Sequence, residues 1–148
     1  MNTKLDTYRF EVVRHLLKYG AVLQRVGDRT LRPIGLTQQE FAVLSAIVRH
    51  GAPVPQNNIV ADLLVERSNL SKIVKRLQQK RLIAVVSTSD DRRIKLLKPS
   101  PAGAAAFKRA ETALRKWNKN WLRSLGDADM TRLSTLLWKL NANGDGFD

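Results

Sequence analysis

The chain has no cysteine among its 148 residues. That excludes disulfides, a thiol redox switch and any Cys-ligated zinc site. Long apolar runs are also missing, since none approaches the ~18 residues needed to span a bilayer. The opening stretch MNTKLDTYRFEVVRHLL lacks the uninterrupted apolar core and small-residue cleavage site of a signal peptide. A cytoplasmic location is the resulting expectation. No segment is of low complexity, and no repeat occurs at a solenoid period. The sequence offers no metal-ligand spacing, no Gly-rich phosphate loop and no nucleophile–base pair, so an enzyme is a poor reading and no cofactor is expected. Acids are scarce: 13 Asp or Glu stand against 26 Lys or Arg, leaving a net charge of +13. The resulting pI near 10.8 predicts an acidic partner, either nucleic acid or an anionic membrane surface.

What is present suffices for one domain with a core, because the apolar fraction is 43%. The basic excess is concentrated. From Glu66 to Lys98 ten Lys or Arg face three acids, a net of +7 within 33 residues. A cationic segment of this kind suits DNA, which releases counterions when cations dock on its phosphates.

Periodicity assigns the elements. Leu5, Tyr8, Val12, Leu16, Tyr19, Leu23 and Val26 make one apolar stripe of a long helix over residues 6–30, and Phe10, Val13 and Leu17 make a second stripe beside it. Two stripes exceed what one small core needs and point to a partner helix. Gly20 lies inside this helix, and the loop Arg32–Gly35 ends it. Thr37 and Glu40 form a capping box ahead of Phe41, Leu44, Ile47 and Val48, with Gly51 as the C-cap. Pro53 and Pro55 read as a rigid connector to a short helix over residues 55–63 bearing Ile59, Val60, Leu63 and Leu64.

After a tight turn at Leu64-Val65-Glu66, a helix over residues 67–80 repeats Leu70, Ile73, Val74 and Leu77 at i, i+3, i+4, i+7. Those four define its buried face, and Ser68, Asn69, Ser71, Lys72, Lys75, Arg76 and Gln79 fall on or beside the other. Short helix, turn and second helix make a helix-turn-helix. The segment 83–87 and the return through Ile94 and Leu96 read as a hairpin turned by Ser89-Asp90-Asp91. Ser100 as N-cap and Pro101 at N1 restart a helix running to Leu125 with Phe107, Leu114, Trp117 and Trp121. Asp127 opens a last helix with Leu133, Leu136, Leu137 and Leu140, and the tail NANGDGFD is expected to fray. The fold class is therefore mostly α with a small β-hairpin wing.

Lys72, Lys75 and Arg76 are candidates for phosphate or base-edge contacts. Arg76 is the better base reader, because only its rigid fork suits bidentate recognition of guanine. Ser68, Asn69 and Ser71 can donate to phosphates, and Asn69 can pair with adenine. Arg93 in the hairpin suits a narrow minor groove, with Arg92 as an alternative reader or backbone contact. A solvated helix face, a cap at Ser68 and simple turn chemistry at Asp90-Asp91 are the bland counterparts of these roles. His15 and His50 have no ligand-like neighbours, and Trp117 and Trp121 sit at packing spacing. Lys108, Arg109, Arg115, Lys116, Lys119 and Arg123 give the late helix a net of +5 once Glu111 is counted.

With these residues in place the chain resembles the MarR family of transcriptional regulators over about residues 5–140. The resemblance is carried by GLTQQEFAVLSAI, by VERSNLSKIVKRLQQKRLI and by DDRRIKLLKPSPAG, the last similar to the family's wing followed by an LTxxG-like helix start. Three departures stand out. Arg81 occupies a position that often holds Gly, Thr88 one that often holds Asp, and Lys98-Pro99-Ser100-Pro101 replaces a Leu-Thr pair.

The resemblance implies a single MarR-like domain over 1–148, a DNA-binding part over 37–99, and dimerisation helices over 5–31 and 101–142. It implies a homodimer on a pseudo-palindromic operator with half-sites ~34 Å apart. In the family an acid braces the wing arginine, and Asp91 with Arg93 fits that pattern. It further implies a dimeric repressor released by a small effector held between the dimer helices and the winged part, near Arg14, His15 and Phe41. The charge favours an anionic effector, an aromatic acid or an acyl-CoA thioester. Without cysteine the chain is set apart from the peroxide-sensing members. The alternative is a ligand-independent architectural DNA-binding protein. A membrane-surface role is disfavoured because the cations accompany a helix-turn-helix.

Overall fold

The computed structural model describes residues 3–63, 67–87, 90 and 93–141. Along the chain these form α1 (Thr3–Leu31), a 3-10 turn (Arg32–Ile34), α2 (Gln38–His50), β1 (Val54–Pro55), α3 (Gln56–Leu63), α4 (Arg67–Gln79), β2 (Ile83–Ser87), β3 (Lys95–Pro99), α5 (Pro101–Trp121) and α6 (Asp127–Asn141). The chain divides into two compact units, Met1–Leu114 and Arg115–Asp148.

The core of the first unit is built from the apolar faces that periodicity predicts. Leu44 and Ile47 of α2, Ile59 of α3, Leu70, Ile73, Val74 and Leu77 of α4, and Ala106, Phe107 and Ala110 of α5 are buried together. Each fully buried Leu or Ile contributes about 1.5–3 kcal/mol relative to its exposed state. Phe41 stacks on Phe107 with ring centroids 5.9 Å apart, joining α2 to α5.

Local chemistry sets the helix ends. Thr37 Oγ1 accepts from the Glu40 N–H at 3.1 Å while Glu40 Oε2 accepts from the Thr37 N–H at 3.2 Å, completing the capping box. Gly51 ends α2 in the left-handed conformation, φ 75°. Ser100 Oγ accepts from the Gly103 N–H at 3.0 Å and so caps α5, with Pro101 in the first turn.

Two features differ from the sequence reading, and the departure at Arg81 has a structural outcome. The Pro53–Pro55 connector contains a strand: β1 pairs antiparallel with β3 through Val54↔Leu97 and Pro55↔Leu96, giving a three-stranded sheet of order β1-β3-β2 rather than a lone hairpin. Proline is tolerated there because β1 is an edge strand. The helix expected to run to Leu125 ends at Trp121. The chain then tightens into i→i+3 bonding, with the Leu125 N–H donating to Leu122 O, before Gly126. Arg81 does not change how α4 ends. Its φ is +58°, its N–H donates to Gln78 O at 2.9 Å, and the Leu82 N–H donates to Leu77 O at 3.0 Å. That is the double bond pattern of a glycine-type helix end, here imposed on an arginine.

Both apolar stripes of α1 lie open in the single chain. Phe10 is 79% exposed and Leu17 72%, and Leu5, Tyr8, Val12, Val13, Leu16, Tyr19 and Leu23 are exposed as well. Only Gly27 and Leu31, at the C-terminal end, are buried. In the second unit Trp117 and Trp121 stack at 5.4 Å. There α6 leaves Leu133, Leu136, Leu137, Leu140 and the 74%-exposed Trp138 uncovered. No described helix is long and apolar enough to cross a membrane. The predicted turn Leu64-Val65-Glu66 lies outside the described residues, as does the tail beyond Asn141.

Candidate nucleic-acid interface

The buried face of α4 dictates its outward one. With Leu70, Ile73, Val74 and Leu77 turned into the core, Ser68, Ser71, Lys72, Lys75 and Arg76 are all exposed and Asn69 is half-buried. A row of cations and small donors thus projects from a helix whose other side is locked in place. This is the arrangement a groove-reading helix needs, because the positioning face and the contact face must not compete for side chains.

Two contacts that sequence reasoning missed hold this helix. At its C-terminal end Lys80 Nζ donates to Glu40 Oε2 and to Gly35 O, each at 2.7 Å. Glu40 is only 1% exposed, so Lys80 neutralises a buried carboxylate that also caps α2. Near its N-terminal end Gln56 Nε2 donates to Ser71 Oγ at 3.1 Å. The residue types gave a partial signal, in that Glu40 was legible as a cap and Lys80 as one of a basic run. Their pairing across 40 residues was not.

The hairpin register runs from Ile83↔Pro99 to Ser87↔Lys95. Leu97 and Ile83 point into the core while Lys95 and Lys98 are exposed. Arg93 and Asp90 are exposed at the turn. Asp91 and Arg92, the proposed brace and alternative reader, lie outside the described residues. Between α4 and the hairpin is an open cleft of about 400 Å³ lined in part by Ser71, Lys75 and Lys95.

The three residues expected to wall an effector pocket have different partners. Arg14 pairs with Glu11 at 2.6 Å on the open surface of α1. The hydrogen bond and charge of Arg14 hold the Glu11 carboxyl below its ordinary range, and Glu11 in turn raises the Arg14 guanidinium. His15 stacks on Tyr19 at 5.8 Å. Phe41 packs on Phe107. Helix α1 engages α2 at Asp28, whose Oδ1 accepts from the Gln38 N–H at 2.8 Å. Arg14 is some 14 residues up the helix from that contact, ~21 Å of rise. Among the described residues no group of three or more His, Asp or Glu could hold a metal ion.

Comparison with known proteins places these elements in context. The family model described as the MarR family matches residues 34–94, from the end of the 3-10 turn to the start of the returning strand. The chain is 30% identical over 128 residues to the transcriptional activatory protein BadR of Rhodopseudomonas palustris, covering 82% of this chain and 71% of that one. It is 29% identical over 106 residues to the regulatory protein proposed for the hcr operon of Thauera aromatica, covering 72% of this chain but only 63% of that protein's length.

Among solved structures, the organohalide-sensing regulator RdhR-CbdbA1625 bound to 2,4-dichlorophenol superposes with a TM-score of 0.83 at 20% identity, over 92% of this chain and 80% of that one. CouR of Rhodococcus jostii RHA1 bound to p-coumaroyl-CoA gives 0.79 at 17%, over 87% and 90%. The M. tuberculosis regulator MosR in complex with DNA gives 0.73 at 24%, over 91% and 98%. At these identities the structural likeness speaks for the fold.

Proposed function

Since the chain belongs to the MarR family of winged helix-turn-helix transcriptional regulators, we propose that it binds double-stranded DNA as a homodimer and acts as a repressor released by a small anionic aromatic effector or its acyl-CoA thioester. The observation that carries the DNA reading is the division of α4 into a core-locked apolar face and an exposed face of Ser68, Ser71, Lys72, Lys75 and Arg76. Arg76 reads guanine through its fork, the lysines and serines hold phosphates, and Arg93 enters the minor groove. The winged part, residues 37–99, does the docking. The uncovered apolar stripes of α1 and the uncovered leucines of α6 support a second copy as their cover. An effector of this chemistry is supported by the aromatic ligands of the two fold relatives and by the net charge of +13. To release DNA it must favour the DNA-incompetent state, because equal affinity for both states shifts nothing.

A second reading of the regulatory sign, activation, is favoured by the name of the 30%-identical relative. Selection of random duplexes by the purified protein at about 150 mM salt tests the DNA reading. Recovery of a pseudo-palindrome with half-sites about one turn, ~34 Å, apart supports the dimeric regulator. Recovery of unrelated sequences, with affinity collapsing as salt rises, supports an architectural protein instead. A reporter driven from the recovered site separates repression from activation. Titration with aromatic acids and their CoA thioesters, read as loss of operator binding, tests the effector.

A further inference from the structure

The cleft between α4 and the β2–β3 hairpin has a donor arrangement that a solvated surface does not require. Its floor is apolar, formed by Val74 and Val85, and its walls carry Lys75 from α4 and Lys95 from β3. Among the described residues no carboxylate lines it. Two lysines therefore line one opening with no carboxylate beside them among the described residues. Ser71 sits one turn before Lys75 on the same helix face. Gln56 Nε2 donates to its hydroxyl oxygen at 3.1 Å. An amide nitrogen can only donate, so the Ser71 oxygen accepts there and its own proton is left for an acceptor outside. At about 400 Å³ the cleft has room for on the order of ten waters, or for a tetrahedral oxyanion together with two lysine ends. The low-dielectric floor strengthens attraction for such an anion relative to open water.

We propose that this cleft grips one phosphate of the DNA backbone, with Lys75 and Lys95 supplying charge, Ser71 donating its hydroxyl, and Gln56 acting as the positioning residue that holds the hydroxyl in its donating orientation. The proposal rests on the DNA-binding reading and adds Lys95 and Gln56 to it. A phosphate between the two lysines turns their repulsion into charge-assisted hydrogen bonds. The contact is blind to sequence. It anchors the hairpin against the backbone and sets the register in which Arg76 and Arg93 meet the bases.

The experiment uses the full chain, the duplex recovered by selection and a random duplex. It compares Lys95→Gln with Lys108→Gln, which removes the same charge from the exposed face of α5. For Lys95→Gln the slope of log affinity against log salt should flatten by about 0.9 per half-site, about 1.8 for a dimer. Affinity should fall by the same factor on both duplexes, and Lys108→Gln should flatten the slope by less than half as much. A single neutral methylphosphonate linkage at the gripped phosphate should weaken the parent protein more than Lys95→Gln, which keeps only Lys75 as a cation on that phosphate. Gln56→Leu should weaken binding in the parent and add nothing once Ser71 is alanine.

Equal slopes for the two lysine variants would overturn the proposal while leaving DNA binding intact. So would a linkage scan in which every position costs Lys95→Gln as much as the parent. Competition by benzoate that is lost in Lys95→Gln, without a change of slope, would reassign the cleft to a small carboxylate. Failure of the parent to retain any duplex would remove the DNA-binding reading itself.

Discussion

Replacing Lys80 by methionine tests how the recognition helix is held. Lys80 Nζ lies 2.7 Å from Glu40 Oε2 and 2.7 Å from Gly35 O, and the Glu40 side chain is almost wholly buried. Methionine keeps most of the aliphatic stem and removes the charge, so among the described residues Glu40 would retain only the Thr37 N–H as a close polar partner. Breaking a buried ion pair by deleting one member costs about 3–5 kcal/mol. The Lys80 side chain is 40% exposed, so water can enter from its side and offset part of that loss. A cost of about 2 kcal/mol is the resulting expectation. For a chain of this size that corresponds to a fall in Tm of about 4–8 °C.

Thermal and urea denaturation followed by circular dichroism, at one fixed protein concentration because the proposed dimerisation would contribute to stability, would read it. In a Glu40→Gln background the same substitution should cost at least about 1 kcal/mol less, since no buried charge is then stranded. A loss below about 0.5 kcal/mol for Lys80→Met alone, or an equal loss in both backgrounds, would refute the buried-charge account.

Two further substitutions probe the junction between helix, wing and α5. A Cβ on Gly103 would lie 1.9 Å from Leu82 O, and since that atom is backbone no side chain can swing aside. Gly103→Ala should therefore destabilise by about 3 kcal/mol in urea denaturation. Arg81 holds φ +58°, a conformation costly for an L side chain. Arg81→Gly should stabilise by about 0.5–1 kcal/mol after the extra flexibility of the unfolded glycine is counted, and destabilisation would contradict the strain.

The family resemblance and the helix pattern were legible for a local reason. A helix repeats its environment every three or four residues, so Leu70, Ile73, Val74 and Leu77 announce a buried face and leave Lys72, Lys75 and Arg76 outside. The caps at Thr37, Gly51 and Ser100 were readable for the same reason, because each bond closes within a few residues. The glycine of the LTxxG-like start was visible in the sequence. Its cause was not, because the carbonyl of Leu82 that needs the space comes from another element. The two stripes of α1 were visible too, and the single chain leaves both open, which is why the proposed function gives them a second copy as cover.

By itself the sequence determined the six described helices and the hairpin of β2 and β3, which face of each helix is apolar, and where the positive charge gathers. All of these are written in spacings of four residues or fewer. Only the tertiary structure decided that Val54 adds a strand opposite Leu97, that Lys80 closes on Glu40, and that Gln56 orients Ser71. Those partners are 15 to 43 residues apart along the chain. Their meeting depends on how the core packs the elements against one another, and no periodicity within a single element encodes that.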